Sequence, residues 1–77
     1  EGLVAKDLRL TVEGTLPDGV PLQAKVRYTQ KAQPCRVWQT GPAELRVAFD
    51  TPQRAITPGQ AVVLYDGDTV VGGATIE

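Results

Sequence analysis

PCRVWQTGPAELRVAF, residues 34–49, reads as two strands joined by a turn. Cys35, Val37 and Gln39 fall on one side of an extended backbone and Arg36 and Trp38 on the other, because side chains alternate across a strand with a period of two. Pro34 limits where that run can start, since it has no N–H to give to a neighbouring strand. Thr40-Gly41-Pro42 breaks the run. Leu45, Val47 and Phe49 then alternate with Glu44, Arg46 and Ala48, which predicts a further strand ending near Asp50.

The same period governs the rest of the chain. Leu8, Leu10 and Val12 oppose Arg9, Thr11 and Glu13, with Leu3-Val4-Ala5 read as an approach segment. Leu16-Pro17-Asp18-Gly19 supplies a turn, because proline presets φ and glycine accepts the positive φ that ends it. Leu22, Ala24, Val26 and Tyr28 then point one way and Gln23, Lys25, Arg27 and Thr29 the other. Residues 51–60 form a crossover loop closing in Thr57-Pro58-Gly59-Gln60, a type II turn sequence. Ala61 to Tyr65 is a nearly continuous apolar strand. Asp66-Gly67 predicts a type I′ hairpin into Thr69 to Val71. Gly72-Gly73 predicts a bulge or corner before Ala74 to Ile76.

About six short strands with turn signals at intervals of about 8–12 residues predict an all-β fold. A small antiparallel closed β-barrel is the expected form, since closure removes the exposed edges that so short a chain cannot otherwise protect. At 77 residues, with no linker or repeat, residues 1–77 are expected to form one domain. The absence of methionine and the opening at Glu1 fit a piece of a longer polypeptide. With one cysteine and no histidine, neither a disulfide within the chain nor a zinc site is available, so the fold rests on packing of its 42% hydrophobic residues. No run approaches the ~20 apolar residues that span a bilayer, so no membrane partner is expected. A lone cysteine and no charged leader ahead of an apolar run lead to a cytoplasmic expectation.

Charge is distributed unevenly. The net value is −1, yet residues 19–43 hold Lys25, Arg27, Lys31 and Arg36 with no acid, and from Ala55 onward the only charges are Asp66, Asp68 and Glu77. Alternation sends Lys25, Arg27, Arg36, Trp38 and Arg46 to the outer faces of three successive strands, where antiparallel pairing gathers them. Basic groups beside an aromatic suit RNA, with about four phosphates neutralised and hence weak, salt-sensitive attachment. A solvated outer face, with Trp38 capping an open barrel end, would use the same residues. The chain lacks serine and histidine, so no hydrolytic triad can form, and neither Gly72-Gly73 nor Thr57-Pro58-Gly59-Gln60 has the context of a phosphate loop. Cys35 alone is nucleophilic. Arg36 beside it would favour a thiolate, whereas its alternation with Val37 makes it a small buried hydrophobe.

From about Pro21 onward the chain resembles the C-terminal region of the tRNA-specific 2-thiouridylases. The resemblance is carried, in order, by Arg27-Tyr28-Thr29-Gln30, Phe49-Asp50-Thr51-Pro52, Ala55-Ile56-Thr57-Pro58-Gly59-Gln60, Tyr65-Asp66-Gly67 and Gly72-Gly73. Thr29 departs from the family's frequent second arginine, and Ala74 from a frequent third glycine. What the resemblance implies is a barrel similar to the second domain of translation elongation factors, helping to hold tRNA. It further implies a parent enzyme that uses ATP, with magnesium, to adenylate the wobble uridine and replaces its 2-oxygen with sulfur from a sulfur-donor protein. The family's nucleotide loop and two catalytic cysteines lie in upstream catalytic domains, and no segment here matches them. Cys35 falls at a non-catalytic position. No catalytic residue, cofactor or metal is therefore expected in this barrel. Competing readings are a purely structural packing module with Trp38 and the crossover loop in its interface, a barrel of another translation-related protein, or a persulfide on Cys35.

Overall fold

The computed structural model describes residues 2–11, 14–26, 31–53 and 56–77. Six strands occur in order: β1 (Gly2–Leu10), β2 (Val20–Lys25), β3 (Gln33–Gly41), β4 (Glu44–Phe49), β5 (Ala61–Asp66) and β6 (Thr69–Ile76). All neighbours are antiparallel, and the sheet closes on itself as β1-β4-β3-β2-β5-β6. The expected all-β closed barrel is the fold observed.

Alternation explains the interior. Leu22 and Ala24 of β2, Cys35 and Val37 of β3, Leu45, Val47 and Phe49 of β4, and Val62 and Leu64 of β5 are all buried together. No polar or charged residue is fully buried among the described residues. Burying such a group without a partner costs on the order of 1–3 kcal/mol, so the barrel keeps its polar side chains outside or at its ends. Gln39 shows how an end is closed. It continues the inward face of Cys35 and Val37, accepts a hydrogen bond from the Leu16 N–H at 3.0 Å and donates to the Gly41 carbonyl at 3.2 Å. Leu16 is thereby held over the interior at that end.

Two local expectations are corrected and a third is met. Leu3-Val4-Ala5 is part of β1 rather than an approach to it, and Leu3 and Ala5 are buried. Asp7 has φ 56, and the β1–β6 register shifts between Lys6 and Arg9, so a bulge moves the inward phase from Leu3 and Ala5 to Leu8. A bulge hides strand identity because it breaks the period on which the reading depends. The β5–β6 hairpin also differs. Asp66 pairs with Thr69, leaving Gly67-Asp68 as the loop, and only Gly67 (φ 62) has positive φ. That is the pattern of a type II′ turn with glycine first, not the type I′ turn expected from Asp66-Gly67. The bulge expected near Gly72-Gly73 is present: β6 runs continuously from Thr69 to Ile76 but carries Val71 as an extra residue against β5. Its register against β5 slips between Leu64 and Tyr65, and Gly72 lets β6 approach β1, since a Cβ there would lie 2.7 Å from the Arg9 carbonyl oxygen.

Of the remaining turns, the first closes one residue later than expected, as Pro17–Val20 in place of Leu16–Gly19, and the second is the expected Thr57–Gln60. Gly19 has φ 68, and the Val20 N–H donates to the Pro17 carbonyl at 3.3 Å. Gly59 has φ 91, and the Gln60 N–H donates to the Thr57 carbonyl at 3.3 Å, as a type II turn requires. That turn is stitched to β6 by hydrogen bonds from Gly59 N–H to the Ile76 carbonyl and from Ile76 N–H to the Gln60 carbonyl, both 2.8 Å. The Thr57–Gln60 turn is therefore fixed against the end of β6.

Candidate nucleic-acid interface

The outer wall formed by β2, β3, β4 and β1 carries the basic residues. Trp38 of β3 lies opposite Arg46 of β4, and Arg46 lies opposite Val4 of β1, so the three form one row across the sheet. The Arg46 guanidinium carbon sits 4.5 Å from the centroid of the Trp38 ring, within cation–π range. Arg36, two residues from Trp38 on the same face, lies opposite Pro21 on one side and Ala48 on the other. Its Nη1 donates to the Gly19 carbonyl at 3.0 Å.

Gly19 completes the cluster. The indole passes beside it, so that a Cβ at Gly19 would lie 3.5 Å from both Nε1 and Cζ2 of Trp38. One glycine thus makes the turn into β2, accepts from Arg36 and borders Trp38. The indole is half-buried on the outer wall by this packing and by Arg46, which is where the ring sits in place of the barrel-end cap considered from the sequence.

Of the five sequence-derived candidates, Arg36, Trp38 and Arg46 are brought together. Lys25 is not. It is outward on β2 but four residues beyond Pro21, which faces Arg36, or about 13 Å along the strand. Arg27 lies outside the described residues. Alternation assigns a face but not a position along it, which is why Lys25 looked like a member of the same patch.

The sequence reading missed what borders the cluster. Val4 is 48% exposed despite being a large aliphatic residue in the middle of β1. It lines an open groove of about 570 Å³ together with Arg46, Ala48, Ile56 and Pro58. The signal was present: once Leu3 and Ala5 are taken as inward, Val4 must face out.

Cys35 is buried in the core, facing the interior between Leu22 and Phe49. Burial, reinforced by the negative charge of Asp50, pushes its thiol up from 9.0 to about 11, against a smaller opposing effect of a backbone hydrogen bond from Leu22. The neutral thiol is the form the fold favours, so Arg36 on the opposite face does not make it a thiolate. Among the described residues, no group of three or more His, Cys, Asp or Glu side chains is placed to hold a metal ion.

A stability prediction follows from the thiol. Below pH 9 it is protonated in both folded and unfolded chains and contributes no pH dependence. Between pH 9 and about 11 only the unfolded thiol ionises, so stability falls as pH rises through that window. Two pKa units correspond to about 3 kcal/mol at most. Urea unfolding of the chain and of Cys35→Ala should show the stability difference between them shrinking across this window. A constant difference would contradict the assignment.

The profile of the aminomethyltransferase beta-barrel domain family matches residues 1–76. The tRNA-specific 2-thiouridylase of Carboxydothermus hydrogenoformans is 49% identical over 76 residues, covering 99% of this chain and 21% of that protein. The enzyme of the same name from Staphylococcus carnosus is 52% identical over 75 residues, covering 97% of the chain and 20% of its own length. That of Symbiobacterium thermophilum is 50% identical over 76 residues, or 99% and 20%. The chain spans about a fifth of the length of these relatives, at their C-terminal part. It belongs to the aminomethyltransferase β-barrel domain family, in the form carried at the C-terminal end of tRNA-specific 2-thiouridylases.

Proposed function

We propose that this barrel is the non-catalytic C-terminal module of a tRNA-specific 2-thiouridylase and assists tRNA binding through the Arg36–Trp38–Arg46 face. In this reading the upstream domains of the parent carry the ATP- and magnesium-dependent 2-thiolation of the wobble uridine, with sulfur delivered by a donor protein. The supporting observation is the pair of guanidiniums held on one outer wall, Arg46 over the Trp38 ring and Arg36 by the Gly19 carbonyl. A cationic outer wall and a buried, neutral sulfur give the module binding chemistry to offer.

Two or three phosphate contacts set the expected behaviour. The slope of log K against log salt is about −0.9 per neutralised phosphate, so raising salt from about 50 to about 200 mM should weaken tRNA binding by about 12- to 40-fold. Fluorescence anisotropy of labelled tRNA titrated with the chain measures this. A flat salt response, or no binding at the lower salt, would overturn the tRNA role.

The groove beside Val4 favours a second reading, a structural module that packs on the other domains of its parent. An apolar side chain 48% exposed beside Ile56 and Pro58 is suited to a protein surface rather than to phosphate. The two readings meet at Arg46, which also lines that groove, and part at Val4 and Arg36. A Val4→Gln change, which adds no charge beside Arg46, should weaken domain packing and leave tRNA affinity in place, whereas Arg36→Gln should do the reverse.

A further inference from the structure

Resting on the RNA-facing reading, we propose that the Arg36–Trp38–Arg46 cluster recognises the sugar–phosphate backbone of double-helical RNA. Trp38 is then a positioning residue that holds Arg46, not a platform on which a base stacks.

The geometry of the stack is the first reason. Arg46 lies over the indole ring at 4.5 Å, in the place a base would occupy on that face. At that distance the guanidinium can lie flat on the ring, an arrangement that leaves its N–H donors, which lie in the plane, free for phosphate oxygens. The indole therefore restrains an otherwise mobile side chain without consuming its hydrogen-bonding capacity. Arg36 is restrained differently, by one N–H donated to the Gly19 carbonyl, and its other donors are not spent on that bond.

Spacing is the second reason. Arg36 faces Ala48, two residues from Arg46 on β4, so the two arginines are diagonal neighbours about 7–8 Å apart at the backbone. Each guanidinium can take a different phosphate of one strand.

Composition of the wall is the third. Surfaces that bind single strands interleave several aromatic rings with their cations, one ring for each base. Around Trp38 and Arg46 the described outward neighbours on β2, β3, β4 and β1 are Pro21, Arg36, Thr40, Glu44, Ala48 and Val4, none of them aromatic and one of them, Glu44, an acid at the edge of the cationic pair. One ring already covered by arginine gives no run of stacking sites. Duplex RNA, whose bases are paired and whose phosphates are regularly displayed, matches two ordered cations better.

Trp38 is the only tryptophan, so its emission reports on its own surroundings. The chain is titrated with a short RNA hairpin and, separately, with single-stranded oligouridine of equal phosphate number, following anisotropy and Trp38 emission. Tighter binding of the hairpin, with little quenching, is expected. Trp38→Leu should weaken hairpin binding by about two- to fivefold, the equivalent of one exposed cation–π contact, and leave the salt slope unchanged. Trp38→Phe should recover most of that loss, and Arg46→Gln should lower the salt slope by about one. Tighter binding of oligouridine with strong quenching would make Trp38 a stacking platform and overturn the inference while leaving the RNA-facing reading intact. Binding of neither RNA at low salt would instead remove the RNA-facing reading, and this inference with it. The comparison on the unaltered chain decides the matter even if a variant fails to fold.

Discussion

Leu64→Ala is expected to destabilise the barrel by about 2–5 kcal/mol, the range for emptying a fully packed leucine site. Leu64 is 0% exposed, and its strand β5 is held between Ala24 of β2 and Gly72 of β6. Both neighbours are small, so neither has side-chain bulk with which to refill the space, and the cost should fall toward the upper part of that range. At about 0.05–0.15 kcal/mol per residue, a chain of 77 residues has about 4–12 kcal/mol in total. The substitution therefore removes a large share of it. Urea denaturation followed by far-ultraviolet circular dichroism should show a lower midpoint at unchanged slope. Val70→Ala is the matched control: Val70 is 43% exposed beside the hairpin loop, and its loss should change stability by about 0.5 kcal/mol or less.

That contrast depends on alternation, and alternation was the most legible feature of the sequence. Leu22 and Ala24, Cys35 and Val37, and Leu45, Val47 and Phe49 point inward as their period dictates. Turns marked by proline and glycine at Pro17 to Gly19 and at Thr57 to Gln60 form with the geometry their residues demand. What stayed hidden were places where the chain leaves the period. Asp7 carries positive φ without being glycine, and one such residue moved the inward phase of β1 and concealed its first half. Loop placement at Gly67-Asp68 depended on cross-strand pairing of Asp66 with Thr69, which no local dipeptide reports. Strand order was likewise out of reach of local pattern. β1 pairs with β4 and β6, and β2 with β5, contacts between segments far apart in sequence that closure of the barrel selects.

The candidate site divides in the same way. Arg36, Trp38 and Arg46 could be placed on one face because they lie on two strands joined by a short turn, whose pairing is nearly forced. Lys25 shares the outward direction but sits far along β2, and face membership alone carries no distance. Gly19 was legible as a turn residue, whereas its roles against Trp38 and Arg36 exist only after β2 and β3 pair.

The second large effect concerns affinity. Arg36→Gln combined with Arg46→Gln removes two cations from the outer wall without touching the core, since both side chains are exposed. Each lost phosphate contact should reduce the salt slope by about one. With lines for the two proteins converging near 1 M salt, the loss near 200 mM should be about tenfold or more. The tRNA dissociation constant of a full-length 2-thiouridylase carrying this barrel, measured with and without the two substitutions across a salt series, is the most direct test. A tenfold or greater loss with a slope shallower by about two, and unfolding behaviour of the barrel preserved, is the result predicted here. Equal affinity and equal slope in the two folded proteins would contradict a tRNA-holding wall built on Arg36, Trp38 and Arg46.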